Sequence, residues 1–511
     1  MSDWTGGYVA DIGYTHGYYV ELNPQRIKLA FLRAGLAFPE CANACELGFG
    51  QGMSSNLHAA GSVTSWYGTD FNPSQAGFAQ QLAASSGASA HLYDEAFADF
   101  CSRLDLPQFD FIGLHGIWSW ISDENRRLIT DFVRRKLKVG GVLYVSYNTQ
   151  PGWAAMAPMR DLLVEHAELM GAPGNGIVPR IDASLDFAEK LLGMGARYGV
   201  VNPQVAERIK ALKGQNRNYV AHEYFNRDWV PMSFSKMKNW LDDAKLTFAC
   251  SASYLDHVDP INLTTEQQQM LKEIPDAEFR ESVRDFMVNQ QFRRDYWVRG
   301  PRQLSTLERV EQLRHQRVVL VAMREDIKLK VAGVLGEADL LEKIYRPLLD
   351  LLADYKIHTV HEIERALSSL VDFDGVLQAL MILAGNGSVH LAQDDATIKA
   401  AAKQSTRLNN ALCSQARYSD AVSALSSPVT GGGIAVNRFE QIFLLGHKEA
   451  PGKTDSWAAY LLQVLAAQGQ RMLVNGKVPE SSEAEHLAAV SLAEKFLAQR
   501  LPILKALHVQ C

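Results

Sequence analysis

Ala44-Cys45-Glu46-Leu47-Gly48-Phe49-Gly50-Gln51-Gly52 is the stretch whose reading decides the fold. A short apolar approach, one acid and glycines at 48, 50 and 52 describe a strand running into a tight turn, and Met53-Ser54-Ser55-Asn56-Leu57 then opens a helix. Glycine suits a turn where a ligand must come close to the backbone, because a side chain would block the approach. A helix N-terminus behind such a turn points unpaired N–H groups at a bound anionic or polar group. The spacing is not that of a dinucleotide site: G-x-G-x-x-G needs its third glycine at position 53, where Met53 stands. An ordinary Gly-rich turn is the plain alternative, and the glycines alone do not separate the two.

Working outward, Tyr8, Tyr14, His16, Tyr18 and Tyr19 form an aromatic arm ahead of an amphipathic helix from about Pro24 to Gly35. Such an arm either closes over a ligand or packs that helix. After the turn, Val63 to Asp70 reads as a second strand ending in an acid, 22 residues beyond Gly48. An acid there can accept hydrogen bonds from both hydroxyls of a ribose. The competing role, a helix N-cap, is already filled by Asn72-Pro73-Ser74. A third strand at Ala88–Tyr93 leads into Asp94-Glu95, and Phe109–Leu114, largely apolar, reads as a strand covered on both faces. Its far end carries His115-Gly116-Ile117-Trp118-Ser119-Trp120, at the edge where open α/β sheets place ligands. A helix (Asp123–Leu137) and a strand to Tyr147 follow. Five strand–helix alternations predict an α/β fold, a doubly wound Rossmann-like sheet.

Beyond Tyr147-Asn148-Thr149-Gln150-Pro151-Gly152-Trp153, helical segments near 155–170, 184–197 and 204–213 form an insertion. His222-Glu223 then lies in an aromatic and polar cluster, Leu246–Tyr254 reads as the sixth strand, and Phe292–Val298 as a seventh, antiparallel one after a helix at Glu278–Gln291. The expected units are 1–153, a cofactor-binding core; 154–218, a helical insertion or regulatory segment; 219–300, completing the seven-stranded sheet; 301–400, winged-helix-like; and 401–511, a helical C-terminal domain. The winged-helix reading rests on a helix pair (Asp339–Tyr355, Val360–Ser369), a third helix and a hairpin near Ala384–Leu391. Its second helix has one Arg against two Glu, which argues against DNA. A second glycine run, Ser427 to Ile434, has no strand–helix unit around it and reads as a mobile loop. Helices at Asn437–Leu445, Ser456–Gly469 and Glu483–Ala506 close the chain, with Pro502 expected to kink or end the last.

The bulk properties fit a soluble globular protein. At 511 residues the chain exceeds one core; 47% hydrophobic and 21% charged residues are ordinary, and a net charge of −6 argues against a dedicated nucleic-acid binder. Met1-Ser2-Asp3-Trp4 lacks a signal-peptide layout and no apolar run reaches the ~20 residues of a membrane span. The six cysteines include no C-x-x-C pair, so no metal site and a reduced, cytoplasmic setting are expected.

E-x-G-x-G-x-G at 46–52 resembles the pattern of Rossmann-like S-adenosylmethionine-dependent methyltransferases. The Tyr-Asn-Thr-x-Pro-Gly-Trp stretch at 147–153, the insertion, the His-Glu-Tyr-Phe cluster at 222–225, the Tyr-x-His-Gly-Tyr arm and His115–Trp120 narrow the resemblance. They are similar to bacterial methyltransferases with a methyltransferase regulatory domain, a family that includes rickettsial-type protein-lysine methyltransferases acting on outer-membrane proteins. Most of residues 1–300 is covered. Phe49 and Gln51 stand where relatives often have Cys and Asp, which leaves the glycine geometry intact. The resemblance implies S-adenosylmethionine as donor and a lysine-bearing protein as acceptor, with a cell-surface or outer-membrane protein before export as one candidate, and leaves room for a homodimer. Expected cofactor contacts are Glu46, Gly48, Phe49, Gly50, Gly52, Asp70, Phe71, Asp94, Glu95, Leu114 and His115. Expected acceptor-side groups are Tyr14, His16, His115, Trp118, Asn148, His222 and Glu223, since a lysine must lose its proton before attack. A small-molecule or saccharide methyltransferase, and a cofactor-binding regulatory protein without catalysis, are the alternatives.

Overall fold

The computed structural model describes residue 8 and residues 15–511 apart from 173, 175 and 475. Seven strands, β1 (Asn43–Leu47), β2 (Ser65–Asp70), β3 (Ala90–Asp94), β4 (Phe109–Leu114), β5 (Leu137–Asn148), β6 (Leu246–Ser251) and β7 (Phe292–Arg299), form one sheet. Its order is β3-β2-β1-β4-β5-β7-β6, with β7 antiparallel to both neighbours. The chain leaves β1 for β2 on one side and returns to β4 on the other, so the crevice of a switch point opens at the C-terminal end of β1. β4 is buried along its whole length, its one charged residue, Asp110, accepting from the Ala42 and Asn43 amides.

Helix starts follow the local chemistry. Asn23 accepts a hydrogen bond from the Gln25 amide and Pro24 opens α1 (Pro24–Arg33). α2 (Met53–Gly61) begins directly at the glycine turn, and Asn72 caps α3 (Pro73–Ser86), which Gly87 ends in a left-handed conformation. β6 is shorter than the sequence suggests. The Ser251 hydroxyl donates to Asp256 at 2.7 Å and accepts from the Ser253 amide at 3.1 Å, turning the chain before Tyr254.

The insertion is helical, with Ala157–Leu169, Ile177–Gly193, Pro203–Lys213 and Arg217–Tyr224 around a core of Trp153, Leu163, Leu185, Ile209 and Trp229. The second of these starts seven residues ahead of the expected 184, because Gly176 (φ +69°) breaks the chain and Pro179 fits a first turn. His222 and Glu223 thereby lie on a helix. Among the described residues no helix is long and apolar enough to cross a membrane.

Residues beyond 300 depart from two expectations. Helices Glu342–Leu352, Val360–Leu367 and Phe373–Gly385 pack with β8 (Arg317–Leu320), β11 (His358–Thr359) and β12 (Val389–Leu391), while β9 (Lys330–Gly333) and β10 (Gly336–Asp339) form a separate hairpin. No hairpin follows the third helix: β12 pairs antiparallel with β8, which precedes all three helices, and Asp394 then caps the long helix Asp395–Gln415. The second glycine run is a buried hairpin of β13 (Ala424–Ser427) and β14 (Gly432–Ala435), which corrects the mobile-loop reading. Glycine is needed because backbones nearly touch there. A Cβ on Gly432 would fall 2.5 Å from the Tyr18 hydroxyl and 2.7 Å from Asn23 Nδ2, and one on Gly61 would fall 2.9 Å from the Gly431 carbonyl carbon. The helix Asp395–Gln415 grips the end of α2, with Gln404 donating to the Ala59 and Ser62 carbonyls (3.0 and 2.6 Å) and Ser405 to that of Ala60 (2.8 Å). The last helix, from Ser482 to Ala506, is interrupted by a π-helical turn, Phe496–Arg500, just ahead of Pro502.

Candidate functional site

At the glycine turn, Gly48, Gly50 and Gly52 have φ of +71°, +58° and +66°, the left-handed region that side chains avoid. Two of the three also answer to protein contacts. A Cβ on Gly48 would lie 2.5 Å from Ile117 Cδ1, and one on Gly52 2.5 Å from Ala79 Cβ. Phe49 is buried with Ala76, Ala79 and Leu92, so its side chain braces the turn against α3.

Asp70 closes the turn from the next strand. Its Oδ2 accepts from the Gly50 amide (2.8 Å) and Oδ1 from the Asn72 amide (3.0 Å), which leaves each oxygen a second acceptor position. Burial raises its pKa to about 6 against these hydrogen bonds, and the charge of Asp94, level with it on β3, adds to the rise. Glu46 is 3% exposed and accepts from the Ser55 hydroxyl; burial pushes it up to about 8, with Asp70 contributing. Asp94 is exposed, while Glu95 pairs with Arg103 at 2.6 Å. The Leu114 side chain points into the core, so only the backbone at the end of β4 reaches the edge.

Tyr8 joins two parts of the site. Its ring lies 5.6 Å from that of Phe71 and 5.2 Å from that of His222. Burial raises its pKa far above the phenol range, and the charges of Asp70 and Glu223 raise it further. One arm residue therefore bridges the Asp70–Phe71 edge and the helix bearing His222 and Glu223. His222 is buried, and burial raises Glu223 to about 7, opposed by Arg208.

A second group sits where β4 and β5 end. His115 Nδ1 is 2.7 Å from the Tyr144 hydroxyl, and its ring stacks on Tyr19 at 3.7 Å. Burial lowers its pKa to about 4, so the imidazole is neutral at pH 7, despite the field of Glu21, which itself pairs with Arg294 at 3.5 Å. Register places Tyr144 opposite Tyr296, Ser146 opposite Arg294 and Asn148 opposite Phe292. Ser146 accepts from the Gly116 amide (2.8 Å). Asn148 is 3% exposed, and its Nδ2 has no hydrogen-bond partner among the described residues. Tyr147 faces the other way and donates to Asp295 at 2.9 Å.

Two expected acceptor-side residues, Trp118 and His16, do not join these groups. Trp118 is 1% exposed in the core with its ring against Trp240, because the chain after Ile117 folds back into a 3-10 turn. His16 lies edge-on to Phe78 of α3, in a cleft shared with Gln415 and Tyr418. Tyr14 lies outside the described residues. Sequence reasoning passed over Tyr8, Tyr19, Glu21, Tyr144 and Arg294 as site residues. For Tyr144 and Arg294 the signal was the strand alternation that puts them on one face with Asn148; for the arm residues, only their aromatic density.

A family profile described as "Predicted methyltransferase regulatory domain" matches residues 216–299. An uncharacterized protein of Synechocystis is 40% identical over 513 residues, covering 99% of each chain. The chain belongs to one family with the Synechocystis protein, and it carries the predicted methyltransferase regulatory domain. An uncharacterized protein of Rickettsia prowazekii is 25% identical over 301 residues, 55% of this chain and 51% of that one. Among solved structures, PKMT2 from Rickettsia typhi in complex with AdoHcy superposes with a TM-score of 0.67 at 18% identity, covering 94% of this chain and 98% of that chain, which shows a shared fold. The regulatory-domain match runs from the His222–Glu223 helix through β7. In this family member it therefore falls on the segment that completes the sheet, and the helices of 154–215 lie outside it.

Proposed function

We propose that the protein transfers methyl groups from S-adenosylmethionine to lysine side chains of a protein substrate. The observation that carries the cofactor reading is Asp70: a buried carboxyl at the end of β2, held by the glycine turn and retaining one acceptor position on each oxygen. That donor-seeking pair suits the two hydroxyls of a ribose, and the Rickettsia typhi structure of the same fold holds AdoHcy. Glu46, beneath the turn, offers its carboxyl to the amino group of the methionine end, whose positive charge would draw an acid with a pKa of about 8 into its ionised form, and Phe71 and Tyr8 supply apolar surface.

When bound, S-adenosylmethionine supplies a methyl carbon already activated by its sulfonium, so the protein's work is alignment, exclusion of water and removal of a proton. Tyr8, half-buried with its ring against those of Phe71 and His222, covers the site. Glu223, with a pKa of about 7, is the group placed to take the acceptor's proton. A lysine ammonium in water holds its proton to about pH 10.4, and desolvation beside Tyr8 and His222 lowers that value toward the base. Asn148 Nδ2 offers a donor to orient the acceptor chain. The lysine acceptor follows the resemblance of residues 1–300 to the rickettsial-type protein-lysine methyltransferases. A cytoplasmic setting, a substrate methylated before export, and a homodimer belong to the same proposal.

Incubating the purified protein with methyl-labelled S-adenosylmethionine and bacterial lysate tests the acceptor. Label recovered as methyl-lysine after protein hydrolysis is expected; label confined to small molecules would overturn the lysine assignment and leave a small-molecule methyltransferase.

A further inference from the structure

Cys413 and Cys511 are 98 residues apart in the chain, yet their Sγ atoms stand 2.9 Å from each other, closer than non-bonded sulfur atoms pack. Cys413 is fully buried on the long helix Asp395–Gln415, and Cys511 is half-buried beside it. The segment bearing Cys511 is well held. The Leu507 carbonyl accepts from the Ser427 hydroxyl at 2.6 Å, the Val509 amide donates to Leu504 at 2.8 Å, and Val509 packs in one core with Leu408 and Leu412. Among the described residues no other two thiols are in sulfur–sulfur contact. Closing to the covalent length of about 2.05 Å takes a side-chain movement of less than an ångström.

We propose that Cys413 and Cys511 are a site of covalent modification, an intramolecular disulfide formed by exchange with a small disulfide such as oxidised glutathione. The half-buried Cys511 is the thiol an oxidant can reach. Its thiolate attacks one sulfur of oxidised glutathione, forming a mixed disulfide and releasing one glutathione thiolate. The Cys413 thiolate then attacks the Cys511 sulfur and releases the second glutathione. One disulfide forms and one is consumed, two electrons pass to glutathione, and the two cysteine protons end on its thiols. Burial raises the Cys413 thiol pKa, so this resolving step, which needs its thiolate, is the slower one. The crosslink ties the last turn of the chain to the helix that grips α2 through Gln404 and Ser405, immediately behind the glycine turn. It also restricts the unfolded chain, which raises the unfolding midpoint.

The full-length protein is oxidised natively with glutathione disulfide, desalted, denatured and titrated for thiols. The count is expected to fall from six to about four, with a non-reducing peptide map joining the 413 and 511 peptides and dithiothreitol restoring all six. Cys413→Ser should stop at a glutathione adduct on Cys511, and Cys511→Ser should lose the crosslink. Retention of six thiols, a stable Cys511 adduct in the unaltered chain, or a crosslink joining Cys45 to Cys101 would overturn the proposal. Because the titration reads the unaltered protein, it stands even where a variant folds poorly.

Discussion

Asp70 does two jobs with one carboxyl: it pins the glycine turn through the Gly50 and Asn72 amides, and in the proposed mechanism it holds the cofactor's ribose. Asp70→Ala should therefore weaken S-adenosylmethionine binding by about 100-fold, the order expected when charge-assisted hydrogen bonds worth about 1.5–3 kcal/mol each are lost. Unchanged affinity by calorimetry would place the ribose elsewhere. The pKa of about 6 adds a pH test. Raised above the ordinary carboxylate value of about 3.9, Asp70 contributes stability to the ligand-free fold that is present at low pH and lost as pH rises through about 6. Ribose hydroxyls donate to the ionised form, so affinity should rise between pH 5 and 7 with release of a proton, seen as a buffer-dependent binding enthalpy. Glu223 makes a separate prediction. Glu223→Gln should lower kcat about 100-fold while cofactor affinity stays within a few-fold, as for loss of a general base; an unaltered kcat would assign the proton to another group. Asp70 was legible in the sequence because its distance from the glycines and the adjacent Asn72-Pro73 cap left it no other local role. Tyr8 was not, since a contact between residue 8 and residues 71 and 222 has no local pattern to announce it.

At the scale of elements, the central strands β4 and β5 could be read because buried parallel strands are largely apolar runs and the helices between them carry caps and helical periodicity. The hairpin β13–β14 could not. Its glycines look like loop residues until the side chains of Tyr18, Asn23 and Gln393 are known to press on them. Limited proteolysis separates the two readings: residues 424–435 should resist cleavage in the native protein, and rapid nicking there would mean that the hairpin is not packed on α2. The same logic applies to Gly52, whose left-handed φ and 2.5 Å approach to Ala79 leave no room for a methyl group. Gly52→Ala should cost about 2 kcal/mol or more, from backbone strain and overpacking together, and lower the thermal midpoint. The wing expected after the third helix was misread for a topological reason: β12 finds its partner in β8, some 70 residues upstream, and local sequence cannot name a distant partner.

Over the whole molecule, residues beyond 300 support the glycine turn from behind. Met53, Leu57 and Ala60 of α2 share a core with Leu408, Leu425, Ile434, Phe443 and Trp457. A chain ending at residue 300 should consequently be poorly soluble or unfold without cooperativity, and a truncated protein with the midpoint of the full chain would refute that support. The purpose of the last 110 residues was hidden from sequence because the face of α2 they cover reads as ordinary core. On this view the molecule is one sheet whose far edge is completed by the segment matching the regulatory domain and whose helix α2 is braced by the C-terminal region. The central claim is that the turn at Gly48–Gly52 and Asp70 bind S-adenosylmethionine. Isothermal titration of the full-length protein tests it most directly: micromolar binding of S-adenosylmethionine, lost in Asp70→Ala, is the expected result, and binding of NAD with none of S-adenosylmethionine would contradict it.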